Sequence, residues 1–105
     1  MNSPDDIIAF IKKTVAEQLP QVEPLGVRKW IAARVTEPYH VQLPVDPEGT
    51  QVEDFWIVTD HKEGKHYRIA FCPQSGASGI PTPLASGVDW YMGDYGTFKQ
   101  AVEGM

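Results

Sequence analysis

The stretch from Asp54 to Cys72 constrains the fold more than any other part of the chain. Phe55-Trp56-Ile57-Val58-Thr59 and Tyr67-Arg68-Ile69-Ala70-Phe71 flank a charged, Gly-containing break, Lys62-Glu63-Gly64. β-Branched and aromatic residues on both sides of such a break signal a β-hairpin. A three-residue loop with Gly64 in the left-handed region is a type I turn closed by a G1 bulge. It pairs Ile57 with Ile69 and Phe55 with Phe71. One face then carries Phe55, Ile57, Tyr67, Ile69 and Phe71, and the other Trp56, Val58, Asp60, His66, Arg68, Ala70 and Cys72. A two-residue loop instead pairs Ile57 with Ala70 and Phe55 with Cys72, which leaves apolar residues on both faces. Because a one-residue slip moves every side chain to the opposite face, a sheet with one buried side favours the three-residue loop.

The other segments arrange themselves around this hairpin. Ser3-Pro4-Asp5-Asp6 is a helix start: Ser3 caps, Pro4 suits the first helical position, and the aspartates face the positive end of the helix dipole. Ile8, Ile11, Val15 and Leu19 recur at helical spacing, widened by Ile7 and Phe10, so a helix is expected over residues 4–19. Residues 27–36 alternate, with Ile31, Ala33 and Val35 opposite Arg28, Trp30, Ala32 and Arg34, and are read as a strand. Glu37-Pro38 follows as a turn. Tyr39, Val41, Leu43 and Val45 alternate with His40, Gln42 and Pro44, the half-buried strand pattern. Pro44 places that strand at a sheet edge or near its own end, and Asp46-Pro47-Glu48-Gly49 is a turn by composition. Residues 73–87 are rich in Pro, Gly and Ser and read as a long loop. Asp89-Trp90-Tyr91 follows as a short strand. Thr97 and Gln100 then form a capping box opening a helix that buries Phe98 and Val102. The expected fold is an α+β two-layer sandwich: an N-terminal helix on a four- to five-stranded, mostly antiparallel meander, with a short C-terminal helix.

Composition bounds what such a domain does. A chain of 105 residues with 42% apolar and 22% charged residues is expected to form a single domain over 1–105. A net charge of −5 disfavours general nucleic-acid binding. With no long apolar run, neither a signal peptide nor a membrane span is expected, and a cytoplasmic location follows by default. Cys72 is the only cysteine, which excludes an internal disulfide and a multi-cysteine metal site. No cofactor is implied.

If every strand keeps these registers, the sheet face opposite the helix displays Trp30, Arg34, His40, Trp56 and Arg68. Tryptophan and arginine are enriched at binding hot spots. This face, which could receive an acidic peptide or a small anion, is therefore the expected binding surface of a non-catalytic domain, with loop 73–87 at its margin and a protein or peptide as partner. The opposing reading is that the loop and Trp90 cover the face. A second function class is a small-molecule or enzymatic site between the sheet and loop 73–87, involving His40 and Cys72. A homo-oligomer that buries the tryptophan face is a third reading. Asp60, His61 and His66 supply too few ligands on one face for a catalytic zinc. Ser75-Gly76-Ala77-Ser78-Gly79 is not followed by the helix start that strengthens a phosphate loop.

Overall fold

The structure is a computed structural model and describes residues 3–60, 68–83, 89–91 and 93–104. Helix α1 spans Pro4–Gln18, α2 Leu25–Ala32 and α3 Phe98–Glu103. Strands β1 (Val35–Pro44), β2 (Val52–Thr59), β3 (Ile69–Phe71) and β4 (Ser78–Gly79) form one antiparallel sheet in sequential order. Strands β5 (Thr82–Pro83) and β6 (Asp89–Trp90) pair separately as a two-stranded ribbon. The fold is α+β, with an N-terminal helix, a four-stranded antiparallel meander and a short C-terminal helix.

Both terminal helices begin as their sequences dictate. The Ser3 hydroxyl accepts a hydrogen bond from the Asp6 N–H, and Asp5 and Asp6 occupy the first turn of α1. Ile7, Ile11 and Val15 are its buried stripe. Thr97 and Gln100 form a full capping box at α3, with Phe98, Ala101 and Val102 buried. Thr97→Ala removes an acceptor for an otherwise orphaned helix N–H and is expected to cost about 1 kcal/mol, readable in a denaturant melt.

Besides the Pro/Gly/Ser stretch 73–87, which was expected to hold no strand but contains β4 and β5 and so supplies the sheet's fourth strand, two elements differ from expectation. Residues 27–36 are not one strand: α2 covers Leu25–Ala32, only Val35 and Thr36 are extended, as the start of β1, and Glu37-Pro38, expected as a turn, lies inside β1 where its register shifts. Over two turns an apolar pattern can satisfy both periods. Val27, Trp30 and Ile31 recur at helical spacing, Pro24 stands immediately before the helix, and Arg, Lys and Ala are good helix formers. Ile31 is fully buried beneath α2.

The second correction is the hairpin register. Trp56 pairs with Phe71 and Ile57 with Ala70, and a shift between Ile57 and Thr59 then pairs Thr59 with Ile69. This is the two-sided arrangement in place of the expected pairing of Ile57 with Ile69. The expected turn at Lys62-Glu63-Gly64, with its left-handed Gly64, lies outside the described residues.

The sheet accommodates that register because both of its sides are covered. On the helix side, Trp56, Val58, Ile69 and Phe71 pack with Ile7, Ile11, Val15, Val22, Ile31, Phe98 and Val102. On the far side, Phe55, Ile57, Ala70, Cys72 and Leu43 pack with Tyr91, flanked by Tyr39, Val41 and Val45. Every residue from Phe55 to Thr59 is buried, as in a strand covered on both faces. Tyr91 closes the far side. Its ring stacks on Phe55 at 4.2 Å, its N–H donates to the Pro44 carbonyl at 2.8 Å, and its hydroxyl donates to Asp94 at 2.6 Å.

Gly79 leaves room for that ring. A Cβ at this position would lie 2.5 Å from Tyr91 Cε1, Cζ and Oη. Held by Phe55 on one side and Asp94 on the other, the ring cannot swing away. Gly79→Ala is therefore expected to destabilise by about 1–3 kcal/mol, with a lower denaturation midpoint as the readout.

The two prolines of β1 sit where a missing N–H does least harm. Val45 N–H bonds the Gln51 carbonyl across the hairpin while the Pro44 carbonyl accepts from Tyr91. By the two-residue alternation of a strand, even-numbered residues of β1 therefore point their backbone groups away from β2. Pro44 falls in that set, on the outer side of an edge strand, whereas Pro38 lies at the register shift, where the regular ladder is already interrupted.

Candidate functional site

The five residues expected to share one binding face separate into three places. His40 and Trp56 are direct partners across β1 and β2, with ring centroids 5.7 Å apart in an edge-on arrangement. Trp30 and Arg34 form their own pair at the end of α2. The Arg34 guanidinium lies 4.3 Å from the Trp30 ring centroid and donates to the Trp30 carbonyl at 2.8 Å. Arg68 lies on the far side of the sheet, where Nη2 donates to Asp89 at 3.0 Å and Nη1 reaches the Tyr39 hydroxyl at 3.5 Å. Tyr39 in turn donates to Asp60 at 2.8 Å, and burial followed by that bond raises its phenol above the usual range. A single tryptophan–arginine face opposite the helix is not formed, because Trp56 lies on the helix side and residues 25–32 are helical.

What His40 and Trp56 do form, together with the start of loop 73–87, is one wall of an open groove of about 580 Å³. Pro4 and Ile7 from the first turns of α1, and Asp54 from β2, complete its lining. Each contributor has a local reason to be there. Pro4 and Ile7 are three apart on α1 and share a face. Asp54 and Trp56 are two apart on β2 and share a side of the sheet. His40 and Gln42 stand opposite Trp56 and Asp54 in the β1–β2 register.

The polar rim is organised by Asp54. His40 Nε2 donates to Asp54 Oδ1 at 2.8 Å, and Gln42 Nε2 reaches the same oxygen at 3.3 Å. These bonds, the one from His40 foremost, hold the Asp54 carboxyl below the usual carboxylate range. The apolar floor is Trp56, only 8% exposed, with Ile7 beside it. Such a groove can seat an extended segment against aromatic and proline surface while an ionised carboxylate waits at the rim. Among the described residues that line it there is no Ser, Thr or Cys side chain.

Asp54, Pro4, Pro73 and Gln74 were not among the expected site residues. A signal for Asp54 existed: a hairpin turning at Asp46-Pro47-Glu48-Gly49 and centred on Glu48 pairs residues equidistant from it, which brings His40 to Trp56 and Gln42 to Asp54. The observed turn fits this, with Gly49 at φ +74° and its N–H bonded to the Asp46 carbonyl at 3.1 Å. No comparable signal joins Pro4 to Pro73, since their approach depends on how α1 lies across the sheet.

Cys72 is buried on the far side, away from His40. With Phe55, Gln74, Tyr91 and Asp94 it lines another, smaller depression of about 360 Å³. Burial, and then the bond to Asp94, raise the Tyr91 phenol well above its ordinary value. Below about pH 10 that phenol is neutral in the folded and unfolded chain alike and gives no pH dependence. At higher pH the unfolded phenol ionises while the folded one stays protonated, so stability falls as pH rises. Tyr91→Phe is expected to reduce that alkaline slope in melts compared across the range.

The anion-cradle reading of residues 75–79 finds its amides engaged. Gly76 N–H bonds the Cys72 carbonyl, Ala77 N–H the Ser75 hydroxyl, and Ser78 N–H the Gly96 carbonyl. Among the described residues no group of three His, Cys, Asp or Glu side chains is placed to hold a metal ion, and no helix is long and apolar enough to cross a membrane. His61 and His66 lie outside the described residues. Compared with protein-family models, curated proteins and solved structures, the chain matches none of them.

Proposed function

We propose that the chain is a non-catalytic binding domain that docks a protein or peptide partner in the groove between α1 and the β1–β2 hairpin. The observation that carries this reading is the convergence of His40, Trp56, Pro4 and Pro73 on one open, aromatic-floored groove with a polar rim. Aromatic anchors ringed by polar groups are the usual anatomy of a protein-binding hot spot. The surface differs from the expected tryptophan–arginine face, and Trp56 contributes an exposed edge in place of a whole ring. A small-molecule or enzymatic site using His40 with Cys72 has less support, because those two side chains stand on opposite sides of the sheet.

Peptides selected from a random library against the full chain test the proposal. Bound peptides are expected to shift the amide resonances of His40 and Gln74 and the indole resonance of Trp56. His40→Ala and Gln74→Ala, both at solvent-accessible positions, should each weaken binding by about 1 kcal/mol or more while leaving the melting curve unchanged. Selected peptides that map elsewhere, or that bind both variants as tightly as the original, would remove the groove from consideration.

A further inference from the structure

We infer that the occupant of this groove is a positively charged segment whose Arg or Lys head meets the Asp54 carboxylate while its aliphatic stem lies along Trp56 and Pro73. This rests on the docking reading above and adds the charge class of the partner.

Three observations support it. Both side-chain bonds to Asp54 fall on Oδ1, from His40 and Gln42, so Oδ2 makes no hydrogen bond among the described residues. An arginine or lysine head can use such an oxygen through a charge-assisted bond. Second, among the described residues no Lys or Arg lines the groove, and the basic side chain that does, His40, has its Nε2 committed to Asp54. Third, the surroundings carry the same sign: Asp5 and Asp6 are exposed on the α1 turn that supplies Pro4 and Ile7, and the whole chain carries −5. That field attracts a basic segment and repels an acidic one. The acidic partner expected from an arginine-bearing face is thereby replaced by its opposite, since Arg34 and Arg68 lie elsewhere.

The experiment titrates the isotopically labelled full chain with three peptides of equal length, in which Arg, Glu or Ser alternates with Pro. The arginine peptide is expected to shift His40, Gln74 and the Trp56 indole, and to bind about tenfold or more tighter than the serine peptide, with affinity falling as salt rises. Asp54→Asn should weaken it about fivefold or more. Glu48→Gln, which removes the same unit of charge from an exposed turn, should change it by less than about twofold. Asp54 is exposed, so a thermal melt is expected to show the variant folded. Equal binding by Asp54→Asn, or equal shifts from the glutamate or serine peptide at the same residues, overturns the charge assignment and leaves docking in place. No shift at the groove from any of the three overturns both.

Discussion

Truncating Trp56 to alanine is expected to lower folding stability by about 3–5 kcal/mol, the usual range for a buried aromatic replaced by alanine. The indole is 8% exposed and belongs to the cluster that joins α1, α2 and α3 to the sheet. Its removal leaves a cavity beneath Ile7 that β2 cannot shift to fill, because it is held in ladders to β1 on one side and β3 on the other. A denaturant melt of the variant decides the matter. A change within about 0.5 kcal/mol, typical of a surface position, would mean that this side of β2 is exposed and that the two-sided register is wrong.

The neighbouring residue should behave the same way on the opposite side. Phe55→Ala is expected to cost about 3–5 kcal/mol as well, since Phe55 is 1% exposed and carries the stacked Tyr91 ring. A one-sided sheet predicts one large loss and one small one for two adjacent strand residues. Here both should be large. A double-mutant cycle between Phe55 and Tyr91 should return a coupling of about 0.5–1.5 kcal/mol for the stacked pair. Additive losses would show that Tyr91 covers the far side without gaining anything from the ring contact.

Where the sequence was legible, local chemistry was decisive. Ser3 with Pro4 and the Thr97–Gln100 box are satisfied by bonds within a few residues, so they act the same way in any tertiary setting. The alternation of Tyr39, Val41, Leu43 and Val45 likewise marks one apolar side of β1, and that is the side buried on Tyr91. The 27–36 segment failed because two helical turns and a short strand can bury the same few apolar side chains. The choice fell to where Ile31 and Val27 could pack, which is under the helical layer.

The candidate site divides along the same line. His40, Trp56 and Asp54 are set by the turn centred on Glu48 and by the period of two along a strand, both of which are properties of the chain alone. The groove itself required Pro4 and Pro73 to arrive from opposite ends of the sequence, which no local rule specifies. The hairpin register shows the reason most clearly. Counting apolar residues on each face selects a register only if one face is known to be wet, and whether a face is wet depends on which remote segments lie over it. Tyr91 and the α1 stripe cover the two sides here, so both sets of side chains on β2 are core. Periodicity and capping were decided by the chain within a few residues of each position, whereas coverage, and with it the register and the groove, was decided only by long-range packing.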